Sequence, residues 1–190
     1  MVAVKDKPIL IVDSGADWEA FLADNPTHDG VRLRLRKKAS KLPGITYAEA
    51  LDTALCFGWI DGQAGSTDED YHVQVFTPRK ARSVWSQRNR EHIDRLTADG
   101  SMRPAGLLQV ERAKSDGRWD AAYRQKGAEV PDDLQSALAA NPRAAAFFAQ
   151  LSSQNRFAIL FRIGNVKRAE TRAAKIATYV AMLERHETIH

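Results

Sequence analysis

ALCFGWIDG, residues 54–62, decides how the N-terminal part of this chain is interpreted. An apolar helical run ends in this stretch, and Gly58 stands where a left-handed C-terminal helix cap is expected. We expect Ile60 to return to the core in a following strand, and Trp59 and Asp61 to face a pocket. The stretch therefore predicts a helix, a glycine stop and a strand that starts beside a candidate site.

The segments around this stretch carry their own strand and helix signals. KPILIV (7–12) predicts a short strand, and SGADWEAFLADN (14–25) predicts a helix that Ser14 or Asp17 can cap. GVRLRLRKK (30–38) alternates apolar residues with arginines, which predicts a half-buried strand with a basic outer face.

The helix that ends at Gly58 and the strands that follow it are predicted by two further patterns. Thr46 and Glu49 have the spacing of a capping box at the start of that helix. WIDGQAG (59–65) and YHVQVFTPRK (71–80) then flank a polar turn, which predicts a β-hairpin.

From Ser83 onward the signals are helical. Ser83, Val84 and Trp85 are expected to supply the first N–H groups of the first of these helices, and Asn141 could cap a later one. Because strands and helices segregate along the chain, we predict an α+β fold with a small N-terminal mixed sheet and helices, followed by an all-helical C-terminal bundle. The predicted domains are residues 1–126, α+β with a helical extension, and residues 127–190, a helical C-terminal module.

Composition excludes several classes of protein. The single cysteine, Cys56, lies in an apolar run, so no internal disulfide can form and an inert buried thiol is expected. No apolar run approaches the roughly 18 residues of a membrane span, and the first residues lack a secretory signal, so we expect a cytoplasmic protein. Phosphate-binding loops, nucleophile elbows and metal-ligand spacings are absent from the sequence, so neither a cofactor nor a metal is predicted.

Three segments each place a tryptophan beside polar or ionisable residues: GWIDG (58–62), FTPRKARSVWSQRN (76–89) and AKSDGRW (113–119). Taken singly, each tryptophan is more typical of core packing, and Asp61 of a turn. Taken together they suggest an anion site, because an arginine can bind a carboxylate or phosphate through two hydrogen bonds. The candidate ligand-binding residues are Trp59, Asp61, Arg79, Lys80, Ser83, Trp85, Asn89, Arg118 and Trp119.

These motifs, with MRPAG (102–106) and VKRAETRAAKI (166–176), resemble the bacterial YdeI/OmpD-associated family, also called the bacteriocin-protection family. The resemblance runs from about Trp18 to Leu183, and it implies a characteristic C-terminal helical module over roughly 130–185. It also implies a part in tolerance of bacteriocins or cationic antimicrobial peptides and an association with an outer-membrane porin. It carries over no catalytic residues. The chain departs from the family pattern at Arg32, where an aromatic residue is frequent, and at Val166.

Three hypotheses follow. The first is an intracellular, non-catalytic accessory protein that binds a small anionic ligand or peptide and has a protein partner. The alternative is an enzyme on a small acidic or phosphorylated metabolite, with Asp61 as the base and Arg79 or Lys80 holding the anion. Nucleic-acid binding through the basic strand at 32–38 ranks third, because a net charge of +4 is small and no nucleic-acid motif is present.

Overall fold

The computed structural model describes residues 6–124 and 127–190. Contacts divide the chain into two compact units, Met1–Ala122 and Tyr123–His190. The domain boundary that the sequence predicts, between residues 126 and 127, stays a prediction. In the first unit the elements are β1 (Ile9–Leu10), α1 (Gly15–Asp24), β2 (Val31–Arg36), α2 (Tyr47–Cys56), β3 (Trp59–Thr67), β4 (Tyr71–Pro78), α3 (Gln87–Ala98) and α4 (Pro104–Ser115).

The strands of the first unit form one mixed sheet in the order β1-β2-β4-β3. β1 runs parallel to β2, whereas β4 runs antiparallel to both of its neighbours. Leu33 and Leu35 of β2 are fully buried, while the arginines between and beside them are half-buried. The predicted alternation, the hairpin and the α+β class are therefore confirmed.

An aromatic cluster joins α1 to the sheet. The Trp18 ring is fully buried and lies 5.6 Å from Phe21, 6.2 Å from Trp59 and 5.6 Å from Phe76, measured between ring centroids. The Trp18 Nε1 donates a 3.1 Å hydrogen bond to the backbone oxygen of Ala50 in α2. This one side chain therefore fixes α1, α2 and the sheet to one another.

The end of α2 is interlocked with the start of α4. Gly58 has a φ of +74°, which confirms the predicted left-handed cap. A Cβ at Gly58 would lie 2.9 Å from the Ala105 oxygen, and a Cβ at Gly106 would lie 2.2 Å from the Cys56 oxygen. The Gly58 oxygen accepts a 2.9 Å hydrogen bond from the Arg79 N–H. The stretch at 54–62 therefore holds two helices and the end of β4 in place.

Capping boxes start both α1 and α2, with Ser14 and Thr46 as the N-cap residues. The Glu49 carboxylate accepts hydrogen bonds from the Thr46 N–H (2.8 Å) and hydroxyl (2.7 Å). These bonds favour the ionised carboxylate and lower the pKa of Glu49 below its ordinary 4.5. This cap therefore depends on pH.

We expect Thr46→Ala to lower the free energy of unfolding by about 1 kcal/mol, because α2 loses its cap. Glu49→Gln should cost less, and only while Glu49 is ionised in the wild type. A group with a lowered folded-state pKa stabilises above its unfolded value and loses that contribution as pH falls through the folded one. Urea unfolding should therefore show the wild type more stable than Glu49→Gln above pH 4.5, with the difference fading below it. A difference that does not change with pH, or that also appears in Glu69→Gln in the exposed hairpin turn, would contradict this.

The second unit is a helical bundle of α5 (Asp132–Ala139), α6 (Pro142–Gln150), α7 (Ser153–Gly164) and α8 (Ala169–Glu184). The side chain of Asn141 caps α6 as predicted, and Pro131 takes the N-cap position of α5. The buried Asn155 side chain donates to the His190 oxygen and accepts from the N–H groups of Ile189 and His190. These bonds hold the last residues against the bundle.

Within the described residues, no helix combines the length and the apolar composition that crossing a membrane requires.

Candidate functional site

Trp85 and Trp119 are in contact, so two of the three predicted tryptophan segments converge. Their ring centroids lie 5.0 Å apart in an edge-to-face arrangement, and both residues are buried. The Arg79 guanidinium lies 3.5 Å from the centroid of the Trp85 ring and is 6% exposed. We call the following residues the cation–tryptophan cluster: Arg79, Trp85, Arg90, Lys114, Arg118 and Trp119.

A tight turn after β4 brings Trp85 under Arg79. The Lys80 N–H donates to the Ser83 hydroxyl at 3.0 Å, and the Ser83 N–H donates back to the Lys80 oxygen at 2.9 Å. Arg79 then donates from Nη1 to the Val84 oxygen at 3.2 Å. The predicted residues at 79, 80, 83 and 85 therefore form one local structure.

Three more cations surround the two tryptophans. Arg118 donates to the Ser83 oxygen at 2.9 Å and forms an ion pair with Asp116 at 2.7 Å. Arg90 donates to the Trp119 oxygen at 2.9 Å, and its guanidinium lies 5.0 Å from that ring. The Lys114 ammonium lies 5.4 Å from the same ring. The cluster thus gathers four cations.

Arg90 and Lys114 were not among the predicted ligand-binding residues. The signal for Lys114 was present, since it lies in the AKSDGRW motif, five residues before Trp119. The signal for Arg90 was not, because only the packing of α3 against the Trp119 loop brings Arg90 to that backbone oxygen.

The predicted start of α3, the first helix after the hairpin, is wrong. The helix α3 begins at Gln87, and Ser86 is its N-cap, with its hydroxyl accepting from the Asn89 N–H at 3.1 Å. The Ser83 hydroxyl instead accepts from the Lys80 N–H in the preceding turn, and Ser83 does not cap α3. Residues 83–85 therefore precede the helix and offer no helix N-terminus to an anion. Asn89 is buried inside α3.

Trp59 and Asp61 lie in other surroundings. Trp59 is 2% exposed and packs on Trp18, and the His28 ring stacks on it at 6.3 Å. Ile60 is only half-buried and Trp59 is the residue that lies in the core, so the expectation that Ile60 returns to the core is wrong. The Asp61 carboxylate accepts a 2.8 Å hydrogen bond from the Tyr47 hydroxyl. The ligand-binding role of both residues stays a prediction.

A hydrogen-bonded triad of Asp52, His92 and Arg95 between α2 and α3 was not predicted. Asp52 contacts the His92 Nδ1 at 2.6 Å through one carboxylate oxygen and Arg95 at 2.6 Å through the other. Cys56, one turn along α2 from Asp52, has its pKa raised to about 11 by burial, so its thiol is protonated at neutral pH. The bonds of the triad join α2 to α3. Asp52 lies 40 residues from His92 and 43 from Arg95 in sequence, so no local spacing could indicate the triad.

Among residues 6–124 and 127–190, no three His, Cys, Asp or Glu side chains are grouped so that they could hold a metal ion.

In comparisons with known proteins, two family models match different parts of the chain. One family model, described as a domain of unknown function (DUF8412), matches residues 10–109. A second, described as bacteriocin-protection, YdeI or OmpD-associated, matches residues 127–186.

The resemblance to the second family is thereby confirmed for the C-terminal segment, over a shorter range than the sequence motifs suggested. No curated protein and no solved structure matches the chain. The first match covers more than half of the 190 residues. The chain therefore belongs to the family described as domain of unknown function DUF8412, and it carries a C-terminal segment of the bacteriocin-protection, YdeI or OmpD-associated type.

Proposed function

We propose that this protein is a non-catalytic accessory protein that binds a small anionic ligand at the cation–tryptophan cluster. The observation that carries the proposal is the convergence of three cations on the rings of two contacting tryptophans, with a fourth cation, Arg118, paired with Asp116 beside them. An excess of positive charge beside low-dielectric aromatic walls attracts anions and strengthens their contacts.

Two groups are suited to contact the ligand directly. Arg90 is half-buried and donates to the Trp119 oxygen from Nη1, and a guanidinium has four further N–H donors. Lys114 is exposed and sits over the edge of the same ring. A carboxylate or phosphate between these two side chains would receive charge-assisted hydrogen bonds from both.

A buried donor in the cluster supports the same ligand chemistry. The Trp85 indole N–H is buried and has no hydrogen-bond acceptor within the part of the chain that the structure describes. Buried donors are normally satisfied, and a ligand oxygen would supply the acceptor.

The other two hypotheses receive less support. In the enzyme hypothesis, Asp61 acts as a base, but its carboxylate is held by Tyr47 of α2. In the nucleic-acid hypothesis, the β2 arginines contact phosphates, but Arg32 and Arg36 donate to backbone oxygens and Arg34 lies 4.2 Å over the Tyr71 ring. Binding without catalysis remains the better account.

The biological setting of the proposal comes from the second family model. Its description names bacteriocin protection, and it matches residues 127–186. We therefore place the proposed ligand binding in bacteriocin or antimicrobial-peptide tolerance, a form of stress tolerance, with a protein partner and a cytoplasmic location as further parts of the proposal.

Lys114→Gln is expected to weaken anion binding by several-fold, because it removes one of the two charges that contact the ligand. The measurement is a thermal-shift titration with inorganic phosphate, citrate and a nucleoside triphosphate. A ligand at 100 times its Kd adds about 2.7 kcal/mol, which is a shift of about 5–10 °C for a chain of this size.

The matched control is Arg112→Gln, which removes one positive charge from the same exposed turn of α4. Equal weakening by the two variants would mean that only net charge matters and would contradict a site at the cluster. So would the absence of a shift with all three anions.

A further inference from the structure

The second unit carries a groove between α5 and α8, with a volume of about 560 Å³. Its lining is mostly apolar and runs the length of α8 from Ala169 to Glu184. That span is about 22 Å, at 1.5 Å of rise per residue. The floor has an alanine at every fourth position: Ala169, Ala173, Ala177 and Ala181.

Part of this face of α8 is left open by the fold of its own unit. The helix buries Ile176 and Leu183 in the bundle, while Ala169, Ala173 and Ala177 are exposed. Small side chains on one face let a second helix approach closely, and rows of side chains on that second helix can pack into the groove between α5 and α8.

The two ends of the groove carry opposite charge. Glu184 lies in the last turn of α8, where the helix dipole disfavours a carboxylate, and it forms no ion pair within residues 6–124 and 127–190. At the other end, Lys167 and Arg168 precede α8 and outnumber Glu170 in its first turn, and the first N–H groups of the helix receive no side-chain cap.

The remaining charges in the groove are internally neutralised. Arg172 binds Asp133 through two hydrogen bonds, at 2.5 and 2.9 Å, and donates to the Ile163 oxygen at 2.9 Å. The pair therefore adds no net charge to the face.

We propose that the α8 face that lines this groove packs against the same face of a second copy of this chain, with the two α8 helices antiparallel. The two-fold axis passes beside Ile176 and Ala177, so Ala173 of one copy faces Val180 of the other. In this register Glu184 of each copy lies against the uncapped start of α8 and Arg168 of the other. The inference does not rest on the anion site.

The contact is expected to be weak. One helix face from each copy lies at the low end of stable interfaces, which bury about 1,200–2,000 Å² in total. The protein should therefore be monomeric when dilute and dimerise with rising concentration.

Sedimentation of the full chain from about 10 µM to about 1 mM tests this, a range that brackets weak dissociation constants. The wild type should show a rising average mass. Ala177→Glu should stay monomeric, because it places a charge at the two-fold axis. Ala174→Glu, the same change at an exposed residue outside the groove, should behave as the wild type.

A charge exchange tests the direction of the helices. Glu184→Lys should weaken the dimer, and adding Arg168→Glu to it should restore dimerisation. Ala177→Cys should form a disulfide between copies on oxidation, and Ala174→Cys should not.

A wild type that remains monomeric at every concentration would overturn the proposal and leave the groove to another occupant. A dimer weakened equally by Ala174→Glu and Ala177→Glu would also overturn it. Failure of the charge exchange, with Ala177→Glu still monomeric, would overturn the antiparallel arrangement.

Discussion

Gly106→Ala is expected to lower the free energy of unfolding of the first unit by about 3 kcal/mol or more. The new Cβ would lie 2.2 Å from the Cys56 oxygen and 2.8 Å from the Leu55 oxygen. Both obstacles are backbone atoms at the end of α2, so α4 must move away as a body, and overpacking of this kind usually costs 1–3 kcal/mol or, occasionally, more. Urea unfolding followed by tryptophan fluorescence reports on this unit, because all four tryptophans belong to it.

The matched control is Gly15→Ala at the start of α1. No heavy atom lies within 4 Å of a Cβ there, and its φ is not in the left-handed region. We expect a change within about 0.5 kcal/mol. If Gly106→Ala and Gly15→Ala unfold at the same urea concentration, the interlock of α2 and α4 does not carry the stability assigned to it.

Trp18→Ala is expected to cost about 3–5 kcal/mol, the usual loss for a buried aromatic side chain. The substitution removes contacts with three aromatic rings and leaves the Ala50 oxygen without its indole donor. Thermal unfolding should show a large drop in Tm for the first unit.

Trp18→Phe separates the two contributions. It keeps most of the buried apolar surface and loses the hydrogen bond, so its cost should be smaller than that of Trp18→Ala. Leu108→Ala, at a residue that is 44% exposed, should have little effect. Comparable losses for Trp18→Ala and Leu108→Ala would show that the aromatic cluster is not the core of this unit.

Local signals in the sequence were sufficient for much of the fold. The Ser14 cap, the Thr46–Glu49 capping box, the period-two strand and the glycine stop each depend on residues a few positions apart, and each is present as predicted. The interlock of Gly58 with Ala105 and of Gly106 with Cys56 joins segments about 50 residues apart. The sequence alone does not distinguish a glycine that lets two backbones approach closely from a glycine that is needed for its positive φ.

The start of α3 shows how a local signal can mislead. Ser83 and Ser86 are both acceptable N-caps, and propensity does not choose between them. The turn with Lys80 takes the Ser83 hydroxyl, which leaves Ser86 to start the helix. The start of the helix therefore depends on a contact that Ser83 makes with the turn before it, and the helix pattern does not include that turn.

The candidate site was predicted in part. Arg79, Trp85, Arg118 and Trp119 were proposed together and do converge. Trp59 was grouped with them through composition alone. In β3 it pairs with Pro78, and the phase set by the Gly58 turn directs its ring towards Trp18. Which face a strand residue takes depends on that phase, and a one-residue error reverses it.

The most direct test of the proposed anion site is an NMR titration of the four tryptophan indole N–H signals with inorganic phosphate. Each signal can be assigned with a single Trp→Phe variant. The proposal predicts that the Trp85 and Trp119 signals shift and saturate together, while those of Trp18 and Trp59 stay in place. Shifts confined to Trp18 and Trp59, or no saturable shift at all, would contradict binding of this anion at the cation–tryptophan cluster.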